Sequence, residues 1–352
     1  MKACMLLLLV SLFIFSCKKE EEKPPNKRVQ DEKRGNKDVS LIEEEDKIEE
    51  EDKIEANEFT YIPKGIDYDF DRGFLLIGSK KNDIIKLDFK TGVKEMFVSD
   101  PDLNYITSIY SDEFLSRLIV ATNSNIDFSR DKSNTAKVFI YDLQTGERQD
   151  IIDLTPLSNG EEIYISDLIV THRGEIIVTS SFGKPSIYII KTFIDISTKK
   201  YLYEKSLYLS IPNIKETEVG EFGLTGIEYH APSQRLLVAH SSLGKIFEID
   251  RNHNCNVILD QVNKVSSLEL SAIRGDTLYV IQGNLNVVRS YLLEANLVNN
   301  NHLLSPLYIK NWMITGKPLS IVDAKKEGVW VSVNQWDEEI EISPNIQRIN
   351  FE

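Results

Sequence analysis

A short apolar strand returns six times along this chain, and no other feature narrows its fold as far. The copies are Leu75-Leu76-Ile77, Leu118-Ile119-Val120, Ile176-Ile177-Val178, Leu236-Leu237-Val238, Leu278-Tyr279-Val280 and Val329-Trp330-Val331. Each follows a shorter strand carrying a small or acidic residue: Lys64-Gly65-Ile66, Thr107-Ser108-Ile109, Ser166-Asp167-Leu168, Thr225-Gly226-Ile227, Ser266-Ser267-Leu268 and Leu319-Ser320-Ile321. From the end of the short strand to the start of the long one the spacing is 9, 9, 8, 9, 10 and 8 residues, whereas successive long strands begin 43, 58, 60, 42 and 51 residues apart. A nearly constant hairpin on variable connections is a repeat unit. Repeats of roughly 40 to 60 residues with β character favour one circular array over two separate domains.

The chain has 352 residues, 41% of them hydrophobic, enough for one large core. Its formal charge of −14 speaks against a nucleic-acid partner, because phosphate binding rests on basic patches that release counterions.

The N-terminus predicts export. Lys2 is a minimal basic region, and Met5 to Phe15 is an unbroken run of 11 apolar or small residues. That is short of the roughly 20 residues needed to span a bilayer and matches the core of a secretory signal. It runs into Ile14-Phe15-Ser16-Cys17, which resembles the lipobox of bacterial lipoproteins, in the relaxed form found in spirochaetes. Ile14 stands where Leu is usual and Phe15 where Ala or Ser is commoner. The resemblance implies a signal peptide over 1–16 and a Cys17 that carries diacylglycerol and a further acyl chain such as palmitate, two chains being enough for stable anchoring. Cys4 would leave with the signal. The remaining Cys255 then has no internal disulfide partner.

From Lys18 to Glu58 there are 10 Lys or Arg and 16 Asp or Glu, and Glu43-Glu44-Glu45-Asp46-Lys47-Ile48 is repeated unchanged as Glu49-Glu50-Glu51-Asp52-Lys53-Ile54. Low hydrophobicity with high charge cannot offset chain entropy, so 17–58 is expected to be a disordered acidic tether. Ile42, Ile48 and Ile54 recur every six residues, about 240° around a helix, and make no apolar stripe.

Within 59–352 the first repeat divides into strands at Gly65–Asp69, Gly73–Ser79, Asp83–Phe89 and Val93–Ser99. Asp88-Phe89-Lys90-Thr91-Gly92 joins the last two, and Asp142-Leu143-Gln144-Thr145-Gly146 repeats the joint. Gly supplies the positive φ that closes such a hairpin. In the fourth repeat Asp250-Arg251-Asn252-His253-Asn254 takes the place, with Asn254 expected in the glycine role. The long strands are apolar at consecutive positions, as strands buried on both faces are. The fold expected is all-β: a six-bladed β-propeller of four-stranded antiparallel blades, closed by pairing 58–62 with 347–351. Pro63-Lys64-Gly65-Ile66-Asp67-Tyr68-Asp69 with Leu75-Leu76-Ile77-Gly78-Ser79 and Ile84-Ile85-Lys86-Leu87-Asp88 resembles a blade of the six-bladed NHL and gluconolactonase-like propellers.

In the lactonase branch a divalent metal sits on the axis, and the resemblance places its first carboxylate ligand where this chain has Lys64. The equivalent positions are Thr107, Ser166, Thr225, Ser266 and Leu319, so no carboxylate replaces it. Asp167 is the one acid at the next position inward. Asn123, His240, Gln282 and Asn334 close the long strands, near the expected channel mouth. No metal, cofactor or catalytic residue is assigned; Asp167, Thr225 and His240 are expected as polar channel residues. No His-x₃-His, HExxH or G-x-S-x-G pattern occurs. Attention moves to the loops, where a rigid ring presents recognition surfaces, and Phe128, Trp312 and Trp336 are the candidate partner-binding side chains.

The function expected is a lipid-anchored, non-enzymatic interaction scaffold of the bacterial envelope, outer-membrane bound with its domain in the periplasm. Its architectural analogue is the propeller lipoprotein of the outer-membrane β-barrel assembly machinery, which has eight blades. Its partners would be other envelope proteins. A metal-dependent lactonase-like hydrolase and a surface-exposed ligand- or host-binding lipoprotein are the alternatives.

Overall fold

The computed structural model describes residues 64–351 except 80–81, 125–133, 216, 219–220, 261, 263, 272–273, 275, 299–300, 335, 338–339, 342–344 and 350, and before them residues 46–47 and 53–55. These residues form a six-bladed β-propeller of antiparallel four-stranded blades whose strands run outward in chain order in blades one to five. Blade one is Ile66–Asp69, Phe74–Gly78, Asp83–Asp88 and Lys94–Ser99. Blade two is Tyr105–Asp112, Arg117–Asn123, Ala136–Asp142 and Arg148–Asp153. Blade three is Ile165–Val170, Ile176–Ser180, Ser186–Ile194 and Tyr201–Ser210. Blade four is Leu224–His230, Arg235–His240, Lys245–Ile249 and Cys255–Asp260. Blade five is Val265–Ser271, Thr277–Gln282, Val287–Val298 and Asn301–Met313. Blade six is Lys317–Asp323, Val329–Asn334 and Asn345–Ile349, with Lys53–Glu55 as its outermost strand.

The ring therefore closes by joining the two ends of the domain, through a strand other than the one expected. Lys53, Ile54 and Glu55 pair antiparallel with Gln347, Ile346 and Asn345. Residues 56–63, which include all of the expected partner 58–62, lie outside the described residues. Asp46 and Lys47 run parallel to Trp312 and Met313 on the edge of blade five. These five residues belong to the segment expected as tether, and the rest of it lies outside the described residues. An edge strand offers unpaired N–H and C=O groups, so its partner needs backbone more than an apolar sequence.

The core is six separate apolar wedges, one between each pair of neighbouring blades. Arg117–Asn123, Arg235–His240 and Thr277–Gln282 are buried at every position. Each such strand packs one face into the wedge before it and the other into the wedge after, which is why its sequence is a run and not an alternation. Between the third and fourth strands the Asp joint is a carboxylate-closed turn: Asp142 Oδ1 accepts from the N–H groups of Gln144 and Thr145, and Gly146 has φ 74°. In blade four the positive φ falls on His253 (64°) and not on Asn254, whose side-chain amide instead donates to Asp250 Oδ2. Blade three uses the same turn, with Asp195 accepting from Ser197 N–H and Lys199 at φ 57°.

Candidate functional site at the propeller axis

The six inner strands touch one another around the axis, blade six against blade one completing the circuit. Blades two to six each carry a β-bulge near the start of the inner strand, at Thr107, Ser166, Thr225, Ser266 and Leu319. A bulge inserts one unpaired residue and redirects the side chains around it. Three of these side chains turn from the axis to latch the next blade: Ser166 Oγ donates to Leu224 O, Thr225 Oγ1 to Val265 O at 2.7 Å, and Ser266 Oγ to Pro318 O at 3.4 Å. Ser320 Oγ supplies the corresponding bond to Lys64 O where Leu319 cannot. Thr225, expected as a channel residue, is thus a latch between blades four and five.

One position past the bulge the neighbouring backbone lies close. A Cβ on Gly226 would come within 2.8 Å of Leu268 N, and one on Gly65 within 3.1 Å of Ile109 N. A larger residue can use the closeness by bonding the neighbour. Asp167 does so, accepting from Ser108 Oγ (2.8 Å), Leu168 N–H (2.9 Å) and Ile227 N–H (3.1 Å). Two residues further along, the period of a strand returns to the same face, and Asp67, Glu228 and Glu269 stand there. With Asp167 they line an axial cavity of about 230 Å³, with Lys64, Tyr110, Ser108 and Ser267 in its walls. Asp67 accepts from Ser111 N–H of blade two, and Glu269 Oε1 from Asp323 N–H of blade six at 2.8 Å. Blades one, three and five therefore each send a carboxylate to the backbone of the next blade.

Burial dominates the electrostatics. It raises Asp67 to about 7, with the Glu113 and Asp69 charges adding to the effect against the Ser111 and Tyr68 N–H groups. It raises Asp167 to about 6 against three hydrogen bonds and the Lys64 charge. Glu228 and Glu269 lie well above the usual range, first from burial and then from repulsion by neighbouring acids, Glu269, Asp167 and Asp67 acting on Glu228 and Asp67, Asp323 and Asp167 on Glu269. Burial lowers Lys64 to about 8, Asp167 working the other way. The Lys64 ammonium lies 5.2 Å from the Tyr164 ring centre and 6.0 Å from that of Phe222. The cavity is thus a hydrogen-bonding chamber whose acids hold protons near neutrality, the range in which general acid–base groups work. Among the described residues no set of three or more His, Cys, Asp or Glu side chains is gathered closely enough to hold a metal ion.

The other sequence-derived residues scatter. His240 lies in blade four, buried and held down to about 4 by burial, its Nδ1 accepting from Leu243 N–H at 3.4 Å. It lines a different cavity, of about 500 Å³, under the segment that leads into blade four. Asn123 is fully buried and bridges to blade three, its amide pairing both ways with the Ile165 backbone at 2.8 Å. Trp312 is not an exposed anchor. It is 3% exposed in the wedge between blades five and six, against Tyr279 and Phe351. Trp336 lies on the two-residue strand Trp336–Asp337, and its side chain falls outside the described residues, as do Phe128 and Cys17 altogether. Asp67, Glu228 and Glu269 lie beyond the two inner-strand positions that the repeat alignment assigns to the axis. Counting two further would have reached all three.

No protein-family model matches the chain, and no curated protein does. Several solved structures share its fold. The major Malassezia sympodialis allergen Mala s 1 matches with a TM-score of 0.62 at 10% identity, over 85% of this chain and 96% of the allergen. A luciferin-regenerating enzyme matches at 0.55 and 9% identity, over 84% and 94%. The calcium-binding protein regucalcin of Agrobacterium tumefaciens strain C58 matches at 0.53 and 13% identity, over 82% and 90%. The likeness shows that the chain shares the β-propeller fold.

Proposed function

We propose that this chain is a protein-interaction propeller of a bacterial envelope, held to the outer membrane through a lipidated Cys17 with its ring in the periplasm. The observation that carries the interaction reading is the third-to-fourth-strand hairpin of blade three. Its strands run to 9 and 10 residues, and at its far end Phe193, Ile194, Ile196 and Leu202 are 47, 61, 91 and 54% exposed. Phe193 pairs directly with Leu202, so these apolar groups form one tip and not scattered exceptions. Contiguous exposed apolar surface marks interaction sites in soluble domains. The apolar run Met5 to Phe15 ending at Cys17 supports the anchor. The partners are envelope proteins, with the outer-membrane protein assembly complex as the architectural analogy.

The test is to isolate the protein from native membranes in gentle detergent and identify what accompanies it. An envelope protein that co-purifies, and is lost from an Ile194→Asp, Ile196→Asp variant, is the expected outcome. Recovery of both forms without any envelope protein overturns the reading. Protease shaving of intact cells separates the periplasmic placement from a surface-exposed, ligand- or host-binding one, because only a surface tether is cut.

A second reading, a lactonase-like hydrolase, draws on Asp67 and Asp167, held near neutrality in the axial cavity. It expects lactone turnover that disappears in Asp167→Ala. A purified protein with no turnover, with or without added Ca²⁺ or Zn²⁺, removes it.

A further inference from the structure

A second concave site lies off the axis, between blades three and four, and its chemistry is opposite to that of the channel. The groove has a volume of about 420 Å³, inside the range of small-molecule sites. Blade three contributes Arg173, from the turn between its first two strands, and Lys191. Blade four contributes Arg251, from the Asp250 turn, and Tyr229. Three permanent cations and one carboxylate, Glu175, face this space in a chain whose formal charge is −14. Among the described residues neither guanidinium nor the lysine forms an ion pair, and all three side chains are exposed.

The walls are ordered by two aromatic pairs. Tyr229 Oη and His172 Nδ1 are hydrogen-bonded at 2.8 Å with their rings stacked 5.5 Å apart, and Tyr208 meets His253 edge-on at 4.5 Å. Burial raises the Tyr229 hydroxyl, and the Arg251 and Arg173 charges, with a side-chain hydrogen bond from Arg251, oppose the rise, so both guanidiniums lie within electrostatic reach of one oxygen. The floor is apolar, made by buried side chains including Ile177, Leu236 and Ile249. An apolar floor, aromatic walls and guanidiniums with no carboxylate ion pair among the described residues are together complementary to one ligand class.

We propose that this groove binds a small organic anion, a carboxylate or phosphate carried on an aromatic or aliphatic body. Arg173 and Arg251 hold the anionic group, Arg being suited to planar, bidentate pairing with such oxygens. The body lies over the Ile177–Leu236–Ile249 floor and against the Tyr229 ring. A bare inorganic anion would leave the floor unused, and a neutral apolar compound would leave the guanidiniums unpaired.

Isothermal titration calorimetry on the full chain tests this with four probes: 1-naphthyl phosphate, 1-naphthoate, 1-naphthol and inorganic phosphate. Saturable binding of at least one naphthyl anion, with a Kd below about 1 mM, is expected. Loss of either the charge or the apolar body, in 1-naphthol or inorganic phosphate, is expected to weaken binding by about tenfold or more. The relative affinities of naphthoate and naphthyl phosphate identify which anionic group the site prefers. Arg173→Ala with Arg251→Ala is expected to cost about tenfold or more for the anions and to leave 1-naphthol unaffected. Because these side chains are exposed, thermal unfolding should match the parent protein, and Lys191→Glu provides an independent variant with the same expected direction. Absence of saturation by both naphthyl anions overturns the proposal. So does equal affinity for 1-naphthol or inorganic phosphate, or anion binding unchanged in both variants.

Discussion

On the inner strands of this propeller, side-chain size is limited by the backbone of the next blade. At the tip of the long hairpin of blade three solvent is the main neighbour. A Cβ on Gly226 would crowd Leu268 N, whereas Ile196 is 91% exposed. The charge rules differ as well. At the axis, Asp67, Asp167 and Glu269 each bond the neighbouring blade's backbone, so their acidity serves as part of the ring's construction. In the groove between blades three and four, Arg173 and Arg251 project into space without an ion-pair partner among the described residues. Carboxylates at the axis tie neighbouring blades together, whereas Arg173 and Arg251 face the groove without an ion pair among the described residues.

The strongest way to probe the contrast is to remove a polar tie inside the ring. Arg117 is fully buried, paired with Asp112 at 2.8 Å and donating to Thr192 Oγ1 and Gly174 O of blade three. Arg117→Ala leaves the Asp112 charge uncompensated and is expected to cost about 3–5 kcal/mol in urea unfolding. A loss near zero would show that the blades do not depend on such ties. Gly226→Ala comes next. Its Cβ would meet the Leu268 and Ser267 backbone as well as Leu268 Cγ, so about 1–3 kcal/mol is expected by the same measurement. Tolerance there would mean the inner strands can separate, and the contrast with the rim would fail.

The axial acids give a pH signature. Their folded-state values are raised, so the folded protein binds more protons than the unfolded chain between the ordinary carboxylate range and about 7. The stability they contribute is fully present below about 4 and is lost as pH rises through 6 to 7. Glu228→Gln, which keeps the shape and removes the charge, should raise the melting temperature at pH 8 more than at pH 5. Equal effects at the two pH values would place the acids in a setting as open as the rim. The smallest change is expected from Ile196→Asp. At so exposed a position stability should stay within about 0.5 kcal/mol of the parent, while the partner capture described above is weakened. A large loss of stability would make the hairpin tip part of the core.

What could be read from residues alone followed from local chemistry. The run Leu236-Leu237-Val238 shows burial on both faces, and Asp142 with Gly146 encodes its own turn within five residues. The bulge defeated the finer reading. It turned Thr225 and Ser266 from the axis into inter-blade latches, while the strand period carried Asp67, Glu228 and Glu269 inward. Trp312 was misjudged for a related reason. Its exposure depends on how blade six packs against blade five, which no stretch of sequence around it records.

The sequence by itself determined the blade, its number and its order, because strand burial, hairpin length and turn closure are decided by neighbours within one repeat. Only the tertiary structure decided which polar residues meet. Asp67 and Glu228 share the axial cavity, and Arg173 and Arg251 the groove between blades three and four, because ring closure brings distant repeats around common spaces. Closure also took its last strand from Lys53–Glu55, since an open sheet edge selects by available backbone.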